Sequence, residues 1–250
     1  MQDLRSESHS ALYHRYFAVV AADTPALLNA AHALRYQVYC VEHPFENPVD
    51  QSKEQEWDSC DGQSVHSVLV SKPAGIVVGC VRLILPARCG PCASLPIREL
   101  LSEADRARLD AFGIDRTAEI SRYAIAKRYR RRPGEREYPD VEPTDPTVPE
   151  FRRLAPHMSL GLIRGVCLLA ASNNIDTVCA EMTLPLLRLL ERFGLVFEPL
   201  GPVIDYHGPR QPCVAECKQL LAGLSECNQD YYQLVTDTSR QPAAPVPVDS

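Results

Sequence analysis

The fold is decided by eight residues at positions 118–125, whose sequence is AEISRYAI. Their apolar members predict a buried strand, yet Glu119, Ser121 and Arg122 bring a carboxylate, a hydroxyl and a guanidinium into it. Burying such a group without a partner costs roughly 1–3 kcal/mol for a hydroxyl and more for a charge. We therefore expect this strand to meet polar partners and to form part of a site. In a regular strand, Arg122 faces away from Glu119 and Ser121.

Composition limits the possible functions. The chain has 250 residues, of which 45% are hydrophobic and 23% charged, as in ordinary globular proteins. With 26 basic and 32 acidic residues the formal charge is −6, so we expect no nucleic-acid partner. No stretch approaches the ~20 apolar residues that a membrane span needs. The first nine residues lack the apolar segment of an export signal, so the ten cysteines favour a reduced, cytoplasmic compartment.

Two cysteines near the C-terminus raise the question of a metal. Cys213 and Cys217 have the spacing of two zinc ligands, but no second pair follows at the distance typical of a zinc finger. We therefore predict no metal.

Apolar periodicity predicts one α/β domain over residues 1–236, with helices on both faces of a mixed central sheet. We expect residues 1–15 to be frayed, a proline-rich insertion at about 133–150 and a disordered tail at 237–250. The predicted elements are a helix from Thr24 to before Pro44, a hairpin over 65–85, a mostly helical segment over 96–112, a strand over 117–126, a helix over 158–172, a strand over 175–182, a helix from Thr183 to Gly194, and strands over 195–217.

Polar residues upstream of the 118–125 strand share its mixed character. Arg35 and Tyr39 lie four residues apart on the first predicted helix and so occupy one stripe. Asp58 and Asp61 belong to an acidic loop, and Arg82 interrupts an apolar strand.

Four short segments contain these residues: LRYQVY at 34–39, DSCD at 58–61, GCVRL at 79–83 and EISRY at 119–123. Their order resembles that seen in acyl-homoserine-lactone (autoinducer) synthases of the GNAT acyltransferase superfamily. The chain resembles that family over about residues 27–126 in motif. The resemblance implies a GNAT-like mixed sheet with helices on both faces.

Two departures from the autoinducer synthases resemble a sister group. The segment CVEHPFE at 40–46 lacks the arginine and tryptophan usual there, and a basic, proline-rich stretch follows at 127–150. Both features are similar to acyltransferases associated with PEP-CTERM/exosortase systems and to long-chain N-acyl amino acid synthases. This resemblance implies transfer of a fatty acyl chain from acyl carrier protein to the amine of an amino acid. The carrier thioester is then a co-substrate, and no cofactor is needed.

The resemblance also assigns roles to residues. Glu119 is expected to be the base that takes a proton from the amine, while Asp58 and Asp61 hold the ammonium. Arginine suits ion pairs with these acids and with a substrate carboxylate, because its planar fork binds a carboxylate through two hydrogen bonds. The predicted substrate-binding residues are Arg35, Tyr39, Trp57, Arg82, Ser121 and Arg122.

A structural alternative exists for the same residues. The charged side chains could form only an ion-pair network beneath the loop, and we favour that role for Arg35. Trp57 either anchors the loop in the core or offers a platform to the substrate, and we expect the anchor.

A basic cluster follows the 118–125 strand. In an acidic protein such a cluster suits an acidic partner, and acyl carrier protein is strongly acidic. The alternative is a solvated face. The predicted docking residues are Lys127, Arg128, Arg130, Arg131 and Arg132.

The acyl chain needs an apolar slot. By the same resemblance, strands 117–126 and 175–182 should run parallel and diverge to admit the thioester. Leu162, Val166 and Met182 could line the slot, but we expect them in the core.

Two other functions stay open. The first is an acyl-homoserine-lactone synthase that uses S-adenosylmethionine, and the second is an inactive domain that binds acyl carrier protein. A long-chain lipid product would also permit peripheral contact with a membrane. Acyl chain length, the amino acid (tyrosine is a guess) and the oligomeric state do not follow from the residues.

Overall fold

A computed structural model describes residues 8–43, 53–87, 94–130, Leu154 and 157–240. Its strands are β1 (Phe17–Ala21), β2 (Ser64–Ser71), β3 (Ile76–Ile84), β4 (Thr117–Ile125), β5 (Thr177–Thr183), β6 (Glu198–Pro199), β7 (Ile204–Asp205) and β8 (Pro209–Glu216). Its α-helices are α1 (His9–Tyr16), α2 (Pro25–Tyr36), α3 (Glu103–Asp110), α4 (Lys127–Arg130), α5 (Met158–Ser172), α6 (Leu184–Glu191), α7 (Cys217–Cys227) and α8 (Gln229–Thr236). A π-helix at Gln37–Glu42 extends α2, and a 3₁₀ segment at Pro96–Leu100 precedes α3.

The predicted mixed α/β architecture is confirmed. The strands form one sheet in the order β1-β2-β3-β4-β5-β8-β6, with β7 beside β8. Only β4 and β5 run parallel among the paired strands of the described chain. Helix α5 packs on one face of the sheet and α2 on the other, each over its own apolar cluster.

The predicted helix starts are confirmed by their caps. The Thr24 hydroxyl accepts a hydrogen bond from the Leu27 N–H at 3.3 Å, and Pro25 occupies the first turn. Thr183 caps α6 in the same way through the Leu186 N–H at 3.3 Å. Helix α5 spans the predicted 158–172.

The expectation of frayed residues at 1–15 is wrong for the described part. Helix α1 starts after Ser8, whose hydroxyl accepts from the Ala11 N–H at 3.1 Å. Asp230 in α8 accepts from the N–H groups of His9 and Ser10 at 2.5 and 3.2 Å. A carboxylate 220 positions away in sequence thus completes the cap, which a local pattern does not reveal. Helices α7 and α8 were not predicted either.

A β-bulge changes the direction of Arg122. Arg82 lies opposite Ser121 and Cys80 opposite Ala124, so two residues of β4 face one residue of β3. Arg122 has a φ of 48°, in the left-handed region that bulky residues rarely adopt. The side chain of Arg122 therefore points to the face of Ser121. The expectation that it faces away is wrong, because the extra residue breaks the alternation on which it rested.

The parallel strands diverge as predicted. Pairing between β4 and β5 covers Thr117–Thr177, Ala118–Val178 and Glu119–Cys179 and goes no further, although β4 continues to Ile125 and β5 to Thr183. The divergence leaves a gap that begins at Glu119. The expectation of a core position is confirmed for Leu162, Val166 and Met182, which are buried in the α5 cluster.

The domain boundaries stay a prediction. The insertion at about 133–150 and residues 241–250 of the tail lie outside the described residues, whereas Thr238–Arg240 forms a 3₁₀ turn. None of the described helices has the length and apolar character to cross a membrane.

Close packing of α5 on the sheet gives a stability prediction. A Cβ atom at Gly161 would overlap the Tyr13 hydroxyl oxygen and lie 3.1 Å from Leu69 Cδ1. We expect Gly161→Ala to lower the free energy of unfolding by about 1–3 kcal/mol in urea denaturation, the usual cost of overpacking. Among the described residues the buried Tyr13 hydroxyl has no hydrogen-bond partner, so adding Tyr13→Phe should recover part of this loss. Gly62→Ala, with no atom within 4 Å of its new Cβ, is the control. Purely additive effects of Gly161→Ala and Tyr13→Phe would contradict the overlap.

Candidate active site

Three arginines and three acids meet on the α2 face of the sheet and form a closed ring of alternating charge. We call it the ion-pair ring. Each guanidinium contacts two carboxylates, and each carboxylate contacts two guanidiniums. The ring runs Arg35, Asp61, Arg82, Asp58, Arg122, Glu56 and back to Arg35.

Arg35 joins α2 to the loop before β2. Its side chain is 0% exposed, and its Nε donates to Glu56 at 2.5 Å. Its two Nη atoms donate to the two oxygens of Asp61 at 2.6 and 3.0 Å. This fork geometry is the strongest form of a charged hydrogen bond. The contacts match the clamp that we expected of Arg35.

The other two arginines reach the ring from neighbouring strands. Arg82 on β3 donates to Asp58 at 2.6 Å and to the Ser121 hydroxyl at 2.8 Å. Arg122 on β4 donates to Glu56 at 2.9 Å and to Asp58 at 3.0 Å. Its guanidinium carbon also lies 5.3 Å from the centre of the Tyr39 ring. The bulge at Arg122 turns its side chain to this face and so makes its contacts with Glu56, Asp58 and Tyr39 possible.

The acids of the ring also shape their own loop. Asp61 accepts from the Asp58 N–H at 2.7 Å, and Asp58 accepts from the Cys60 N–H at 2.8 Å. Burial raises the pKa of Asp58, Asp61 and Glu56, but hydrogen bonds and charges from the arginines outweigh it, so each pKa lies below its ordinary value. Carboxylates held in this way are weak bases. Their geometry favours the structural role for Asp58 and Asp61.

Glu56 was not among the predicted residues, and the structure places it in the position that we expected for Trp57. Glu56 is 3% exposed, whereas Trp57 is 46% exposed. The prediction of Trp57 as an anchor in the core is wrong, because the chain turns Glu56 and Asp58 towards the arginines and Trp57 between them towards solvent. The sequence signal for this arrangement was the pair of acids that flank Trp57, since alternate residues of an extended chain face the same side.

Glu119 differs from the acids of the ring. It is 2% exposed, and one carboxylate oxygen accepts from the Ile97 N–H at 2.8 Å. Burial and then the charge of Glu181 raise its pKa well above the ordinary value, and neither the Ile97 N–H nor Arg82 offsets them. Glu119 therefore has the higher proton affinity that a base for an amine requires. Glu181 on β5 was missed, since only the sheet order brings it near.

One cluster beside the ring has the donor atoms of a metal site. His32, Asp61 and His66 place three such atoms within 4.8 Å of one another. Asp61, however, already accepts from Arg35 and Arg82, whose positive charges oppose a cation there. Burial and then Arg35 lower the pKa of both histidines, that of His66 to about 4. These charges favour a neutral histidine pair over a metal centre.

Most of the predicted docking cluster lies outside the described residues. The side chains of Arg128 and Arg130, and Arg131 and Arg132 entirely, lie outside the described residues. The Lys127 N–H donates to both carboxylate oxygens of Glu42 at 3.1 Å, which ties the basic segment to the end of the π-helix. Docking of acyl carrier protein stays a prediction.

Comparison with known proteins finds one matching domain family. The family model described as an acetyltransferase (GNAT) domain matches residues 34–137, which hold every residue of the ring and Glu119. A search of curated proteins finds no match. Over these residues the chain is similar to GNAT acetyltransferases, which supports an acyltransferase.

Solved structures define its fold type more closely. The fold is similar to the acyl-homoserine-lactone synthase LasI, with 19% identity, a TM-score of 0.55, and 87% of this chain and 98% of LasI covered. It is also similar to FeeM, an N-acyl amino acid synthase from uncultured soil microbes, with 14% identity, a TM-score of 0.54, and coverage of 84% and 96%. A third similar structure is the CoA-dependent acyl-homoserine lactone synthase BjaI, with 17% identity, a TM-score of 0.53, and 94% of this chain and 92% of BjaI covered. At these identities the likeness establishes the fold of the autoinducer-synthase type, not the substrate.

The neutral histidine beside the ring gives a pH prediction. The pKa of His66 falls from about 6.5 when unfolded to about 4 when folded, so the unfolded chain binds more protons between these values. His66 should therefore stabilise the fold fully above about pH 6.5, and about 3 kcal/mol should be lost as the pH falls to about 4. In urea unfolding at several pH values, His66→Asn should flatten this slope. His207→Asn, in an exposed turn, should leave it unchanged. An unaltered slope in His66→Asn would contradict the assignment.

Proposed function

We propose that this acyltransferase moves a fatty acyl chain from an acyl carrier protein thioester to the amine of an amino acid and forms an N-acyl amino acid. The observation that supports this most is Glu119. It is a buried carboxylate with a raised pKa, placed where β4 and β5 separate. No acid of the ion-pair ring combines these properties.

The chemistry follows from this position. A free α-amine has a pKa of about 8, so much of it is protonated at neutral pH. Glu119 takes the proton, directly or through one water, as the nitrogen attacks the thioester carbonyl in the gap between the strands. The C–N bond forms, the C–S bond breaks, and the proton passes to the departing thiolate. Holding both reactants in this gap supplies the attack geometry.

The ion-pair ring supports the acceptor side of the site. Arg35 and Arg82 are 0% and 3% exposed, and their donors are directed at the acids of the ring. Arg122 is 16% exposed and lies beside Tyr39. We therefore assign recognition of the substrate carboxylate to Arg122 and the framework to the other two arginines. Ser121, bound to Arg82, lies on the same side as Glu119.

The choice of acceptor rests on the sequence resemblance. Residues 40–46 and the basic, proline-rich stretch at 127–150 support the resemblance to acyltransferases associated with PEP-CTERM/exosortase systems and to the related long-chain N-acyl amino acid synthases. The shared fold with LasI keeps acyl-homoserine-lactone synthesis as the second candidate, and BjaI gives acyl-CoA as the second donor. Acyl carrier protein as donor makes the cytoplasm the proposed compartment. A long acyl chain in the product would permit the protein to make peripheral contact with a membrane surface.

Product mass distinguishes these candidates. The purified protein is given palmitoyl thioesters of acyl carrier protein or of CoA, with twenty free amino acids or with S-adenosylmethionine. We expect an N-palmitoyl amino acid from the carrier thioester by mass spectrometry. An acyl-homoserine lactone would replace the proposal with the second candidate. Absence of thiol release in every combination, repeated with octanoyl thioesters, would favour the inactive binding domain.

Glu119→Gln tests the base. We expect kcat to fall about 10²–10⁴-fold, the usual contribution of general base catalysis, while the urea unfolding midpoint stays at or above that of the wild type. Glu99→Gln, on the exposed side of the neighbouring 3₁₀ segment, is the matched control and should keep full activity. A kcat of Glu119→Gln within about threefold of the wild type would mean that another group is the base.

A further inference from the structure

Glu181 occupies the opening between the diverging strands. Cys179 is the last residue of β5 paired with Glu119, and Glu181 follows two positions later on the same face. Glu119 and Glu181 are therefore diagonal neighbours on one face of the sheet, close enough for the charge of Glu181 to raise the pKa of Glu119. Glu119 marks the closed end of the gap, and Glu181 is the first residue of β5 on that face beyond it.

The two acids lack the cations that every acid of the ion-pair ring has. Within the described ranges neither Glu119 nor Glu181 forms an ion pair with a basic side chain. The charge of Arg82 on β3 lowers the pKa of Glu119, and that of Arg210 on β8 lowers the pKa of Glu181, but neither arginine forms an ion pair with its acid. Asp58 adds a further negative charge to the surroundings of Glu119. Buried carboxylates without a counter-ion are costly. A ligand cation would remove this cost.

We infer that Glu181 is a second carboxylate that, together with Glu119, binds the ammonium group of the acceptor substrate. This inference rests on the proposed function. It defines the acceptor class as a primary ammonium, because an alcohol would leave the negative charge shared by the two acids without a counter-ion. Glu181 thereby becomes a determinant of amine over hydroxyl acceptors.

A pair of acids also fits the proton balance. An ammonium nitrogen loses two protons on its way to an amide, one before attack and one as the tetrahedral intermediate collapses. One proton leaves to solvent, and the other goes to the thiolate when the C–S bond breaks. Two carboxylates that share a site titrate as a pair, so each proton can be accepted without both acids being charged at once.

The substitution Glu181→Gln tests the inference with the acceptor found in the product assay. We expect the KM for the amine to rise at least tenfold and the KM for the thioester to stay unchanged. Loss of the Glu181 charge should lower the pKa of Glu119, so the acid limb of the kcat/KM profile should move to lower pH. Glu181→Asp should give an intermediate KM, and the exposed Glu198→Gln should behave as the wild type.

A measurement without turnover gives an independent test. Glu119 and Glu181 have raised pKa values when folded, so they stabilise the fold at low pH and lose this contribution as the pH rises through their folded pKa values. Glu181→Gln should therefore raise the urea unfolding midpoint at pH 8, whereas Glu198→Gln should not. A gain in stability together with a loss of amine affinity is the pattern of a binding residue.

The outcomes separate the two proposals. If Glu119→Gln is inactive but Glu181→Gln keeps the wild-type amine KM, acid limb and unfolding midpoint, the inference fails and the proposed function stands. If Glu119→Gln is fully active, the assignment of Glu119 as the base fails and the inference fails with it, whereas the product assay still decides the proposed function. A Glu181→Gln variant that is less stable than the wild type at pH 8 would also overturn the inference, because the two carboxylates would then not repel.

Discussion

The buried fork of Arg35 is the interaction on which the site depends. Its guanidinium has no contact with solvent and binds Glu56 on one side and Asp61 on the other. These two acids bind the remaining arginines, and both arginines bind Asp58, so every other charge in the ion-pair ring is linked to Arg35 through at most two partners. Removing one member of a buried charge pair typically costs about 3–5 kcal/mol, because the partner is left uncompensated. The closed ring has no such uncompensated member.

The site therefore contains acids in two electrostatic conditions. Each acid of the ring lies between two guanidiniums, and its pKa is lowered. Glu119 and Glu181 lie at the gap between β4 and β5, where burial raises their pKa values. The first condition suits a rigid support and the second suits proton transfer. The difference between structural and chemical carboxylates is thus one of counter-ions, since both kinds are buried or partly buried.

Sequence patterns predicted the regular elements of this fold and failed where contacts between distant parts of the chain determine whether an element forms. The hairpin, β4, α5 and the caps at Thr24 and Thr183 follow from local periodicity and cap chemistry. The cap of α1 depends on Asp230, far away along the chain, and no local pattern contains it. Helices α7 and α8 did have a local signal, because Leu220 and Leu224 lie four residues apart and both are buried, but no element was predicted beyond residue 217.

Predictions for the site divide in the same way. The ordered motifs pointed to five of the six members of the ring and to Glu119. Glu56 and Glu181 lie outside those motifs, and their partners come from other elements of the fold. The direction of Arg122 could not follow from a period of two, because a bulge inserts one residue and reverses every side chain beyond it.

The bulge and the ion-pair ring require each other. In a regular β4 the guanidinium of Arg122 would enter the apolar cluster under α5, where Tyr123 now packs and donates its hydroxyl to the Ser159 carbonyl at 2.8 Å. A left-handed residue costs about 1–3 kcal/mol, which charge-assisted hydrogen bonds to Glu56 and Asp58 can offset. The same irregularity lies in the part of β4 that no longer pairs with β5. The contacts that complete the ring thus hold β4 in the irregular shape next to which the reaction gap opens.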